Sequence, residues 1–249
     1  MFGPASGNAY TLVRGANTVE AKTLTRRDRS GHDIVVSAEW FINAIGESAD
    51  QVEEKSRVLA HLAAHEPQHI VLRLAGLDGP DVAAAAQGAS DTVNSYLPAI
   101  AEAVNEYQAE SAANRITLSP FPHRIDGLGD DLAKFRESLA AAERLTADDA
   151  ERACVTALTA AKELVKGIAY AAAYRPYDDD RLVPDPLPEQ WDRYMAALVP
   201  DLLGMFATIP AAGDRVELSV LAATVYRMTA YVLGWLEEIG FTRSEERRV

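Results

Sequence analysis

Leu128-Gly-Asp-Asp-Leu132-Ala-Lys-Phe135-Arg-Glu-Ser-Leu139 places an apolar residue at every third or fourth position, and this spacing decides the fold. A 3.6-residue period gathers these four side chains into one stripe, so the segment is a helix that must bury that stripe against other helices. The pattern continues downstream. Thr146 before Ala147-Asp148-Asp149 offers an N-cap with acids in the first turn, and the helix it opens runs to about Tyr174, where Pro176 stops it. Residues 177–188, rich in proline and aspartate, read as an exposed linker. Beyond it Trp191, Tyr194, Met195, Leu198, Leu202 and Phe206 predict another helix, kinked at Pro200. A last helix over 215–239 carries Leu218, Leu221, Ala222, Val225, Met228, Val232 and Leu236 as its stripe and ends at Gly240 in the C′ position.

The first half reads differently. Residues 10–25 alternate loosely around the turn Gly15-Ala16-Asn17 and predict a hairpin, and 33–36 predict a further short strand. Helical spacing at Trp40, Phe41, Ala44 and Ile45 breaks at Gly46, and a helix over 49–65 ends at Pro67. The sequence HIVLRL over 69–74 is β-branched, apolar and bounded by Pro67 and by Gly76-Leu-Asp-Gly-Pro80, so it reads as a strand. A helix over 81–113, broken or kinked at Pro98, leads to a second strand candidate, RITLS over 115–119, and a proline-rich loop over 120–127. The expected class is therefore α+β and mainly α: a mixed N-terminal part over 1–127 with a small β element, and a helical bundle over 128–249 sharing its core. The alternative is a small parallel βα unit, built from 33–36, 69–74 and 115–119 with their intervening helices, beside a helical subdomain.

Composition narrows the function classes. Of 249 residues 48% are hydrophobic and 24% charged, which is ordinary globular usage with enough apolar side chain for a core. The net charge of -13 repels phosphate backbones and anionic head groups, and therefore disfavours nucleic acid and membrane surfaces as partners. The longest apolar stretch, 220–236, is interrupted by Arg227 and is too short to span a bilayer, so no membrane insertion is expected. The first residues lack the basic and apolar regions of a secretory signal. Cys154 is the single cysteine, which excludes an intrachain disulfide and suits a reducing cytoplasm.

Two constellations can carry chemistry. HLAAHEPQH sets His61, His65 and His69 four residues apart, three of the five histidines in nine positions. His61 and His65 share a helix face and are candidate ligands for zinc or another imidazole-preferring ion, whereas a helix ending at Pro67 would leave His69 aside. If the βα alternative holds, Asp78 after one strand and His123, Arg124 and Asp126 after the next would face a common cleft, with His123 as base, a carboxylate to orient it and Arg124 to bind an anion. The acids Asp178, Asp179 and Asp180 lie between prolines, which keeps them off any one helix face; they read as a solvated linker. The phosphate-cradling glycine motifs and the GxSxG elbow are absent, and no cofactor is named by any motif. Without a complete catalytic set, the leading expectation is a helix-rich binding or assembly protein whose apolar helix faces meet a protein partner or a second copy. The alternatives are an enzyme using His123, Arg124, Asp126 and Asp78, or a metal-dependent enzyme using His61 and His65.

Overall fold

The computed structural model describes residues 13–14, 17–18, 21–26, 31–37, 41, 48–120, 124–145, 149–177, 181 and 183–241. It is mainly helical, with a small antiparallel β element at the start of the chain. Strands β1 (Val13–Arg14) and β2 (Asn17–Thr18) form one antiparallel pair where the hairpin was expected. Strands β3 (Ala21–Thr25) and β4 (His32–Val36) form the other, with Thr23 opposite Ile34. Trp40, Ala44 and Ile45, whose spacing predicted a helix, lie outside the described residues, as do Thr146, Asp178, Asp179 and Asp180.

Helix α1 (Ala49–Leu74) corrects the sequence reading most. Ser48 starts it with a capping box: the Gln51 amide donates to the Ser48 hydroxyl, and the Ser48 amide donates to the Gln51 side chain at 2.8 Å. The helix then runs through Pro67 instead of stopping there, and 69–74 forms its last turns rather than a strand. An interior proline costs about 3 kcal/mol. Tertiary contacts outweigh that cost: Leu72 is fully buried, and the histidines before and after Pro67 both engage the next long helix. Strand alternation would have put Leu72 and Leu74 on one face, yet Leu74 is 78% exposed.

Helix α2 (Gly79–Ala85) is capped by Asp78, and α3 (Asp91–Asn114) by Ser90. The expected single helix over 81–113 is thus two helices, parted after Ala86 where the Ser90 hydroxyl accepts the Val93 amide, while Pro98 sits inside α3 without ending it. Residues 115–119 are not a strand. The Ile116 and Thr117 amides return to the Ala113 carbonyl, and the Ser119 amide donates to the Asn114 side chain. With 69–74 helical and 115–119 a helix exit, the parallel βα alternative falls.

The second half follows its pattern. Helix α4 (Arg124–Leu145) packs closely along α5 (Ala150–Tyr174), whose N-cap is Asp149. Buried alanines line α5, and Gly167 admits the Asp131 carboxylate into space that a Cβ would fill. Cys154 lies half-buried near the start of α5. The helix expected over 191–206 is split into α6 (Trp191–Tyr194) and α7 (Leu198–Phe206), because Pro200 occupies the first turn of α7 rather than the middle of one helix. Helix α8 (Leu218–Glu238) ends as expected: Gly240 adopts φ +104°, its amide reaches the Glu237 carbonyl, and Phe241 reaches Leu236 at 2.8 Å.

One apolar cluster runs from Leu72 to Leu236 and draws on α1, α2, α3, α4, α5, α6, α7 and α8. The stripes of α7 and α8 are spent inside it: Leu202, Phe206, Val225, Met228 and Val232 are all inaccessible to solvent. No helix among the described residues is long and apolar enough to cross a membrane. Layering places the β3–β4 hairpin on α1, α1 on α3, and α3 on α5. Two of these contacts build the polar site.

Candidate metal centre

Histidines four residues apart on a helix lie almost above one another, so α1 presents His61, His65 and His69 as a column. Opposite runs α3, antiparallel to α1, with Glu106 and Glu110 also one turn apart. Beside the cluster lies α5, parallel to α3, where Lys162 meets Glu102 at 2.7 Å and Lys166 meets Glu106 at 2.9 Å. The cluster is therefore three imidazoles and two carboxylates between two helices, backed by a cation from a third.

The ring nitrogens are placed by chemistry. A carbonyl oxygen only accepts, so His61 Nδ1, 3.0 Å from the Thr117 carbonyl, carries a proton and donates it. His61 Nε2 then faces the Glu110 carboxylate at 3.0 and 3.1 Å. Two acceptors this close require a cation between them, either a proton or a metal ion. His65 points Nδ1 at Glu110 at 2.9 Å and Nε2 toward Glu106 at 3.4 Å. His69 Nδ1 meets the Asn105 side-chain oxygen at 2.6 Å, and its Nε2 lies 3.2 Å from His65 Nε2. Tyr170 donates its hydroxyl to Glu106 Oε2 at 2.7 Å.

Depth distinguishes the inner end of the column from the outer. The His61 and Glu110 side chains are 5% and 3% exposed, those of His69 and Glu106 18% and 15%. The ligand atoms of His61, His65 and Glu110 all lie within 4.8 Å of one another, and so do those of His65, His69 and Glu106. Either group meets the geometric requirement for coordinating one ion.

Electrostatics without a metal are self-consistent as well. Burial by itself lowers the affinity of His65 for a proton, but hydrogen bonds to Glu106 and Glu110 and the charges of both override it and push the pKa from 6.5 up to about 10. Burial opposes ionisation of Glu106, yet Lys166 and the His65 hydrogen bond hold it well below the usual carboxylate range. Glu110 is likewise depressed against the effect of burial, by hydrogen bonds from His61 and His65. Lys166, opposed by burial, is raised by Glu106. In the metal-free protein the protonated His65, Lys166 and the proton held between His61 and Glu110 counter the charge of the two glutamates.

A pH profile follows from these directions. His65, raised in the folded state, contributes stability that is complete below pH 6.5 and is lost as pH rises toward 10. The two glutamates, lowered in the folded state, contribute stability that is complete above their ordinary value of 4.5 and is lost in acid. Urea midpoints of chelator-treated protein should therefore peak between pH 4.5 and 6.5 and decline toward pH 10. The alkaline decline should shrink in His65→Asn; equal declines in the two proteins would contradict a buried imidazolium.

The loop residues named from sequence are not gathered in the way the βα reading required. Asp78 caps α2 by accepting the Asp81 amide and pairs with Arg73 at 3.0 Å. Asp126 sits in the first turn of α4 and accepts from the Arg181 guanidinium at 3.3 Å and the Asp185 amide at 3.1 Å. Arg124 begins α4, its side chain lies outside the described residues, and so does His123. Residues 69–74 and 115–119, expected as the strands that would carry these side chains into one cleft, are helix and helix exit.

The sequence names His61 and His65 as a pair but does not name Glu106, Glu110, Lys166 or Tyr170, which the fold sets around them. One signal was present: Glu102, Glu106 and Glu110 recur every fourth residue of a helix otherwise rich in alanine. Carboxylates on a helix facing two neighbours demand partners, and a histidine column is one answer. Comparison with protein-family models, with curated proteins and with solved structures finds no match, so the functional reading rests on these side chains themselves.

Proposed function

We propose that this chain is a metal-dependent protein that holds one divalent transition-metal ion on His61 Nε2, His65 Nδ1 and the Glu110 carboxylate. The observation that carries the reading is that each histidine ligand is oriented from behind. Thr117 accepts the His61 Nδ1 proton, and Glu106, itself gripped by Lys166 and Tyr170, stands ready to accept the His65 Nε2 proton. Such outer partners set tautomer and ring orientation in metal sites. Two imidazoles and a carboxylate form a nitrogen and oxygen set suited to zinc or ferrous iron. Three protein ligands leave a position for water or substrate, the composition of a catalytic centre, where the ion acts as a Lewis acid and lowers the pKa of bound water. We place this activity in the cytoplasm, where the lone thiol of Cys154 stays reduced.

Elemental analysis tests the reading. Protein dialysed against zinc and then against buffer should retain one ion per chain, while His61→Ala and Glu110→Gln should retain less than about a tenth of that with helicity unchanged. Zinc-free wild-type protein after this treatment would refute the site. Self-association through apolar faces stands as the second reading, supported by exposed Leu74, Ile116 and Val220. A defined oligomer by light scattering, lost when these residues are replaced by serine, is its expected result.

A further inference from the structure

We infer that Lys166 limits the centre to a single ion, and that neutralising it opens a second metal site on His65, His69 and Glu106; this rests on the inner site proposed above. The outer three residues already satisfy the distance requirement, with ligand atoms within 4.8 Å of one another. Their carboxylate differs from the inner one. Glu106 is engaged at both oxygens, by Lys166 Nζ on Oε1 at 2.9 Å and by the Tyr170 hydroxyl on Oε2 at 2.7 Å, whereas the contacts of Glu110 are the two histidines. A cation entering the outer group must share Glu106 with a fixed ammonium one carboxylate away, and like charges at that separation repel strongly inside a protein.

The central histidine sets the second requirement. His65 is common to both groups, offering Nδ1 inward and Nε2 outward. When an ion takes Nδ1, the neutral ring keeps one proton on Nε2 and donates it to Glu106, which is the supporting role. For an outer ion to bond Nε2, that proton must leave to solvent, and His65 becomes an imidazolate bridging two ions. A nearby ammonium disfavours the added cation more than it favours the anionic ring. Removing Lys166 releases one oxygen of Glu106 and the opposing charge together. Lys162, paired with Glu102 one turn away, stays in place. His69 is already oriented for the task, with Nδ1 held by Asn105 and Nε2 turned to His65.

Calorimetric titration of the full-length protein with zinc, together with elemental analysis, counts the ions. Wild type should bind one and Lys166→Met two, the second event being tightened by at least about a hundredfold. Lys166→Met combined with His69→Ala should return to one, which assigns the added ion to the outer group. Lys166→Gln, with a polar side chain of similar reach, repeats the test if the methionine variant does not fold. Cupric ions loaded into the two-ion variant should show the exchange-coupled spectrum of an imidazolate bridge. Two ions in wild type, or one ion in both Lys166 variants, would overturn the proposal while leaving the inner site standing. No ion in wild type would remove the inner site, and this proposal with it.

Discussion

Glu110→Ala is expected to lower the folding stability of the metal-free protein by about 3–5 kcal/mol, the usual cost of removing one partner from a buried ion pair. Glu110 lies almost wholly out of solvent on α3 and receives both His61 and His65 from α1. Alanine leaves a protonated His65 facing a cavity on one side, and His61 loses the acceptor that fixes its outward nitrogen. Neither ring can reach water without moving α1, because Leu72 ties that helix into the core. Glu110→Gln should cost less, since the amide keeps the size and one accepting oxygen while giving up the charge. Urea unfolding at pH 6 separates the two variants. A loss below about 1 kcal/mol for the alanine variant would mean that the cluster is wet and loosely held.

Phe135→Ala is expected to cost a similar amount, about 3–5 kcal/mol, for a different reason. The Phe135 ring on α4 lies tilted at 5.3 Å against Trp235 of α8 and meets Tyr194 of α6 edge-on at 5.9 Å, so one side chain ties three helices distant in sequence. Truncation leaves a cavity between rigid aromatic rings that cannot collapse to fill it. Because the apolar cluster is continuous from Leu72 to Leu236, the loss should appear in a single cooperative transition whether helicity or tryptophan fluorescence is followed. Two transitions, with the α1 and α3 cluster surviving the first, would show that the halves of the chain fold separately.

The long helices of the second half were legible because a 3.6-residue stripe has one physical use, burial against other helices. Phe135, Leu139, Val225 and Met228 occupy the core positions that their spacing assigned. The first half misled where local and tertiary preference disagree. Ile70 and Val71 favour a strand by shape, and Pro67 favours a stop, yet the energy lies with Leu72 and the histidine column, neither of which is visible until α3 is set beside α1. The same holds for the site. His61 and His65 are a local signal, four residues apart, whereas Glu106 and Glu110 become their partners only through a contact spanning some forty to fifty positions. Asp78 and Asp126 read from sequence as turn residues facing one cleft; Asp78 instead caps α2 and pairs with Arg73, and Asp126 accepts from Arg181 and the Asp185 amide.

The solitary half-buried thiol of Cys154 makes the molecule its own ruler. It stands twelve residues before Lys166 on one uninterrupted helix, about 18 Å along the axis. A nitroxide attached there sits within range for a paramagnetic ion at the histidine column to broaden its resonance, and no background sulfhydryl competes for the reagent. Metal arrival, departure and any tilt of α1 against α5 can thus be followed in solution without engineering a single anchor point.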